Sequence, residues 1–289
     1  TVVTCHDLDT FRCLLEPKRE PRPRWFRAMA RRILAGFQKA AMVACNSDTT
    51  RHAIRAYDLI PESRLRTVHA GISPEFTADA NPGPDTEAAR LLGPLDPEGP
   101  PELLHVGSNI PRKRIDVLLE VFTAIRRARP GARLIKVGSL LTPDQGRLAH
   151  DLGIADAVTQ LPFLGRTMLA AVYRRAALVL QPSAAEGFGL PVAEALACGA
   201  PVLASDIAAL REVGGEAVTY CPVGDVPAWT DSALRVFDQR QAQGDAWQER
   251  RAAGIARSSL FSWSAHAREL IDVYSQVMDH AAHLSPQVV

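Results

Sequence analysis

The sequence contains no apolar run of the roughly 18 residues needed to cross a bilayer, and no signal-peptide pattern is visible. Both absences lead to the expectation of a chain that works in the cytoplasm. It has no surplus of either charge: 33 lysines and arginines stand against 32 aspartates and glutamates, so no overall field draws it to nucleic acid. Cysteine is scarce. The five that occur (Cys5, Cys13, Cys45, Cys198 and Cys221) are odd in number and form no C-x-x-C, which excludes a disulfide framework and fits a reducing compartment. No His/Cys cluster has metal-ligand spacing, and no internal repeat is found.

What is present is a chain of 289 residues, 47% hydrophobic, enough to bury a core in about two domains. Residues 1–76 offer three strand candidates, TVVTC, AAMVAC and RLRTVHAG, with helical stretches between them; Ser47, Asp48 or Thr49 is placed to cap one of these. The chain begins at Thr1, and TVVTC reads as an interior strand, so a missing N-terminal piece is expected. Residues 77–101 hold ADANPGPDTEAARLLGPLDPEGPP, where proline and glycine predict a linker. From 102 to 262 strands and helices alternate: ELLHVG, a helix over 115–128, RLIKVG, a helix before Gly153, AVTQLPF, a helix from Met168, AALVLQP, a helix at Pro191, APVLAS and AVTYCP. Six apolar strands separated by helix-length segments predict a doubly wound parallel sheet. Residues 263–282 carry apolar residues at helical spacing and predict a terminal helix packing back toward the N-terminal domain.

Two loops of the second region carry chemistry. In AAEGFGLPVAEALACGAPV, the segment after a buried strand turns through Gly187 and Gly189 into a helix with Pro191 as its first residue. Helix-start amides and glycine backbone form an anion site. Glu186 in the loop and Glu194 in the helix's first turn would border that site and accept hydrogen bonds from hydroxyls. A ligand with hydroxyls on both sides of its phosphates is a nucleotide sugar. In HVGSNIPRKRID, a strand ends at Gly107 and Ser108, and Arg112, Lys113 and Arg114 bring positive charge suited to a diphosphate. Either loop alone reads as ordinary surface charge; together they favour a donor site.

PSAAEGFGLPVAEALACGAPVLAS and HVGSNIPRKRIDVLLEVF resemble the nucleotide-sugar-binding domain of the retaining GT-B glycosyltransferases, the group 1 family; TVVTCHDL, VACNSDTTRHAI and VHAGISPEF resemble the end of that family's acceptor domain, and FSWSAHARELIDVY its closing helix. The resemblance implies an α/β GT-B fold of two Rossmann-like domains, the N-terminal one truncated. It implies retaining transfer of a hexose without a metal or other cofactor. Donor-binding roles fall on Gly107, Ser108, Arg112, Lys113, Glu186, Gly187, Phe188, Gly189, Leu190 and Glu194. Glu186 would lie near the transferred sugar, Glu194 at the ribose and Lys113 at the diphosphate; His6, after an acceptor-domain strand, would approach the sugar, so the catalytic set is His6, Lys113 and Glu186. Many relatives have arginine where this chain has Ser108, a gap that Arg112 or Arg114 would fill. HDL and PRKR are most similar to mannosyltransferase-like members, which points to GDP-mannose ahead of UDP-glucose-type donors.

Three other readings stay open. Asp7-Leu8-Asp9 is an Asp-x-Asp of the kind that holds a divalent cation in the other main glycosyltransferase fold. A glycoside hydrolase also needs two carboxylates, but would leave the basic cluster and glycine turn without a purpose. A non-catalytic module would keep donor binding alone. Finally, residues 18–39 hold eight basic residues and one acid interleaved with Trp25, Phe26, Met29, Ile33, Leu34 and Phe37. As a helix this either packs one face in the core or rests on anionic lipid, where a glycan or lipid-linked acceptor would be met.

Overall fold

The computed structural model describes residues 1–284. Contacts divide the chain into two compact units: Thr1–Gly71 together with the chain from Phe261 onward, and Ile72–Leu260.

The first unit runs β1 (Val2–Cys5), α1 (Asp9–Leu15), α2 (Arg24–Gln38), β2 (Met42–Cys45), α3 (Asp48–Ala56) and β3 (Leu65–Thr67). Its strands form a parallel sheet in the order β1-β2-β3, with Val3 opposite Val43 and Val43 opposite Leu65. Alternate residues of β2 point to opposite faces. Val43 and Cys45 pack with Phe11, Phe37 and Ile54 on one side; Met42 and Ala44 pack with Val68 and Val273 on the other. Among the three candidate caps of α3 the structure selects Ser47, whose Oγ accepts the Thr50 N–H at 2.9 Å.

The second unit runs α4 (Pro82–Leu92), β4 (Glu102–Gly107), α5 (Ile115–Ala128), β5 (Arg133–Gly138), α6 (Pro143–Asp151), β6 (Val158–Leu161), α7 (Arg166–Arg175), β7 (Leu178–Gln181), α8 (Leu190–Ala197), β8 (Val202–Ser205), α9 (Ala208–Gly214), β9 (Thr219–Cys221), α10 (Val226–Ala242) and α11 (Asp245–Ser258). The helix α12 (Trp263–Leu284) follows and places Val273 in the core of the first unit. All six strands of the second unit pair in parallel, in the order β6-β5-β4-β7-β8-β9. The chain builds outward from β4 to β6, then returns to β4's other side with β7 and builds outward again. The β4/β7 junction is therefore the point where the winding reverses, and loops at the carboxyl ends of those two strands flank the crevice where such sheets bind ligands.

The expected linker over 77–101 is corrected: it holds an 11-residue helix, α4. Proline fails to break it because Pro82 and Pro84 lie in the first turn, where a missing N–H leaves no bond unmade. Charge then fixes it to the domain. Arg174 reaches Asp85 at 3.1 Å through Nε, and Arg175 donates to the carbonyls of Ala88 and Gly93, each at 3.1 Å. The buried Arg175 also grips buried Glu102 at the start of β4 through two bonds of 2.6 and 2.8 Å. Helices α9, α10 and α11 lie beyond the elements that apolar spacing predicts. Trp229 of α10 is wholly buried and donates its indole N–H to Pro222 O at 2.9 Å.

Candidate active site

The β4 and β7 loops meet at the reversal point. After β4 the chain makes a short turn at Pro111–Lys113, then passes through Arg114 in the left-handed region (φ 48°) into α5. After β7 it passes Ser183 and Glu186 and enters α8 at Gly189. The Ala184 N–H donates to Arg112 O at 2.7 Å, tying the loops together.

Glu186 is the hub. Its Oε1 accepts from Lys113 Nζ at 2.6 Å, Ser183 Oγ at 2.7 Å and Gln181 Nε2 at 2.8 Å; its Oε2 accepts from Arg112 Nη1 at 2.8 Å. Only 5% of its side chain is exposed. Burial works against its charge, but Lys113, Ser183 and Arg112 outweigh it and hold the carboxyl below the usual range. Glu186 and the basic cluster are thus not separate flanks of a site but one ion-paired unit. Arg112 also donates to Ala185 O at 2.9 Å. Arg114 turns the other way and binds both oxygens of Asp116 on α5. Of the two arginines weighed against Ser108, Arg112 alone faces Glu186.

At the start of α8, Gly189 adopts φ 111°, and a Cβ there would stand 2.8 Å from Leu210 Cδ2. The backbone conformation strains any side chain there, and the Leu210 methyl would have to shift to admit one. The helix begins one residue earlier than Pro191 predicts, at Leu190. Pro191 has no N–H, and the N–H groups of Val192 and Ala193 bond to Gly189 O at 2.9 and 3.3 Å. The amides left to meet an anion are those of Gly189 and Leu190, a smaller set than a full helix start. The Phe188 side chain is buried and belongs to the core.

Glu194 lies in the second turn of α8, not the first, because the helix opens at Leu190 and the first turn holds no acid. Tyr173 of α7, itself buried, donates its O–H to Glu194 Oε2 at 3.1 Å. Burial pushes this carboxyl up to about 7, against the lowering effects of Tyr173 and Arg166. Its charged form therefore works against the fold above about pH 7, a cost absent below the ordinary carboxyl range near 4.5. Glu186 and Glu194 thus sit in opposite environments, one neutralised by cations and one kept from ionising by burial.

Sequence reasoning missed the polar neighbours that complete this edge. Gln181 and Ser183 lie where the apolar strand passes into the glycine-rich loop, beside the residues that carry the glutamate motif. His105 is buried in β4; its Nδ1 lies 3.0 Å from Leu180 O, and burial lowers its pKa to about 4. Lys136 is buried in β5. Only their place inside apolar runs marks them. In the first unit, His6 follows β1 with its side chain exposed, and Thr50 Oγ1 donates to its carbonyl at 3.3 Å. Asp7 and Asp9 shape the start of α1, where Asp7 Oδ1 accepts the Asp9 N–H at 3.0 Å and Asp9 pairs with Arg12 at 3.1 Å.

Residues 93–251, more than half of the chain, match the family described as "Glycosyl transferases group 1". The chain belongs to that family. Residues 1–76 of this group 1 glycosyl transferase chain also match "Glycosyltransferase Family 4". It is 34% identical to a D-inositol 3-phosphate glycosyltransferase of Frankia alni, over 86% of this chain and 61% of the relative. It is 27% identical to the O-antigen chain mannosyltransferase B of Escherichia coli, over 94% of this chain and 69% of the relative. Among solved structures, Anabaena HepE in complex with UDP and glucose superposes with a TM-score of 0.73 at 18% identity, covering 98% of this chain and 71% of that one. The fold is GT-B, built of two Rossmann-like parts, and the chain spans less than two thirds of the length of the Frankia relative.

Proposed function

We propose that the chain transfers a hexose from a nucleoside diphosphate sugar to an acceptor hydroxyl with retention at the anomeric carbon. The observation that carries this reading is the Lys113–Glu186–Arg112 unit at the β4/β7 reversal point. A departing nucleoside diphosphate is a weak base that needs fixed positive charge more than a proton. Lys113, Arg112 and the Gly189 and Leu190 amides supply it, already oriented, with Gly107 and Ser108 on the β4 side. Because these cations meet the charge, the reaction is proposed to proceed without a divalent ion. Glu186 orients the hexose and Glu194 the ribose. Glu186 makes a poor covalent nucleophile, since both its oxygens are engaged; this supports departure and attack on one face of the sugar and disfavours the hydrolase reading. The mannosyltransferase relative supports GDP-mannose, and the UDP-bound neighbour keeps UDP-glucose as the second donor.

The test is a panel of nucleotide sugars, with and without a chelator, scored by melting shift and by release of nucleoside diphosphate. Binding is expected to raise the melting temperature and release to survive chelation. A panel without shift or release sinks the reading; binding without turnover turns it into the non-catalytic module.

If Glu194 accepts ribose hydroxyls as a carboxylate, nucleoside diphosphate affinity rises as pH climbs through about 7. The expected gain is about tenfold between pH 6 and 8, and Glu194→Gln removes it. Tyr173→Phe takes away a bond that favours the charged form, so the midpoint moves to higher pH; calorimetry across this range checks both.

We place the chain at the cytoplasmic membrane face, and the geometry of α2 supports this. No helix among the described residues is long and apolar enough to cross a membrane. Phe37 and Ala30 of α2 are buried, while Trp25, Met29 and Ile33, one turn apart, are 70%, 40% and 46% exposed. Arg24, Arg27, Arg31 and Arg32 share that helix. Apolar residues beside arginines suit an anionic lipid surface carrying a lipid-linked glycan acceptor. Vesicles with anionic lipid are expected to pull the chain down, neutral ones are not, and a W25S/M29S/I33S variant is expected to lose at least tenfold in partitioning.

A further inference from the structure

Behind the Gly107 turn lies a cation that the transfer chemistry above leaves unused. Lys136 is 1% exposed, on the sheet face it shares with Leu134 and, across β4, with Leu103 and His105. Apolar through most of its length, this face ends at the carboxyl edge in a lysine and a histidine. The Lys136 Nζ donates to Ser139 O and lies 3.5 Å from Gly107 O. Both carbonyls belong to loops leaving β4 and β5. His105 Nε2 is buried and has no hydrogen-bond partner among the described residues; a methyl group at position 107 would stand 3.5 Å from it and 3.7 Å from Lys113 Cε. His105, Lys113 and Lys136 thus converge on one turn.

The charges there are unequally compensated. Arg112 and Lys113 share the single carboxylate of Glu186, and Arg114 pairs with Asp116. Among the described residues Lys136 has only carbonyl acceptors. We propose, resting on the nucleotide-sugar reading, that Lys136 is a positioning residue for the donor diphosphate: it draws the Gly107 and Ser139 carbonyls together and adds to this edge a positive charge that has no carboxylate partner among the described residues, taking up a proton as the diphosphate docks.

Burial alone lowers Lys136 to about 8. The groups facing it are His105 on β4, neutral at this pH, the uncharged Gln160 on β6 and, across the Gly107 turn, Lys113, which is paired with Glu186. The acids of the helices covering this face, Asp116 and Glu120 on α5, Asp144 and Asp151 on α6 and Asp231 and Asp238 on α10, are exposed and add nothing to the shift. An arriving diphosphate favours the ammonium, so binding and protonation are linked in the window above about pH 8.

Calorimetry with UDP and with GDP at pH 8, in two buffers of different ionisation enthalpy, reads that linkage directly. The native chain is expected to take up about half a proton per diphosphate, as a group half-charged at this pH requires. Lys136→Met is expected to abolish the uptake and weaken affinity at pH 7 by roughly tenfold. Lys136→Arg, charged at every working pH, is expected to restore the affinity without the uptake, which a purely structural role would not produce. Should Lys136→Met fail to fold, the native chain and Lys136→Arg decide. Binding without proton uptake in the native chain overturns the role of Lys136 alone; absence of binding overturns the nucleotide-sugar reading and this one with it.

Discussion

Replacing Lys113 by alanine is expected to lower transfer from the nucleotide sugar by 10²- to 10³-fold, approximately the loss when one pre-oriented stabiliser of developing charge is removed. The effect belongs to the leaving diphosphate, so kcat is expected to fall more than KM rises. Lys113→Arg is expected to recover only part, because a planar guanidinium cannot take the position of an ammonium 2.6 Å from Glu186 Oε1. Arg112 still holds Glu186 in the alanine variant, so the melting temperature moves little. Steady-state kinetics of diphosphate release checks the split; a loss below tenfold would remove Lys113 from the machinery.

Replacing Glu102 by alanine is expected to cost about 3–5 kcal/mol of folding free energy, the range for removing one partner of a buried pair. The glutamate is 4% exposed, bound twice by Arg175 and once by Arg133. Without it the buried Arg175 guanidinium keeps only the Ala88 and Gly93 carbonyls. Chemical denaturation measures the loss, and Glu102→Gln, which keeps the shape without the charge, is expected to fall between native and alanine. A cost below 1 kcal/mol would mean that the arginine escapes to solvent.

The alternation of apolar runs made the second unit's sheet legible, because strands buried on both faces are continuous in sequence. The two loops were legible for another reason: glycine, proline and charge are concentrated just where strands end. Strand order was not, since nothing in ELLHVG or AALVLQP says that β4 and β7 are neighbours, and it is this adjacency that fuses Glu186 with Arg112 and Lys113. α4 was misread because Pro82 and Pro84 count as breakers unless their place in the first turn is known. The second-turn position of Glu194 follows from a start one residue before Pro191, a difference that apolar spacing does not resolve. Lys136 and His105 were hidden by their neighbours: one polar residue in an apolar run weighs little until the fold shows what it points at.

Glu186 occupies both cations with its two oxygens, which bears on discrimination among anions. Any anion entering the crevice competes with an internal carboxylate already in place. Under the proposed donor reading, orthophosphate, with a single short span, meets only cations already shared with this carboxylate, whereas a longer ligand held also at its sugar and ribose ends adds contacts outside the unit.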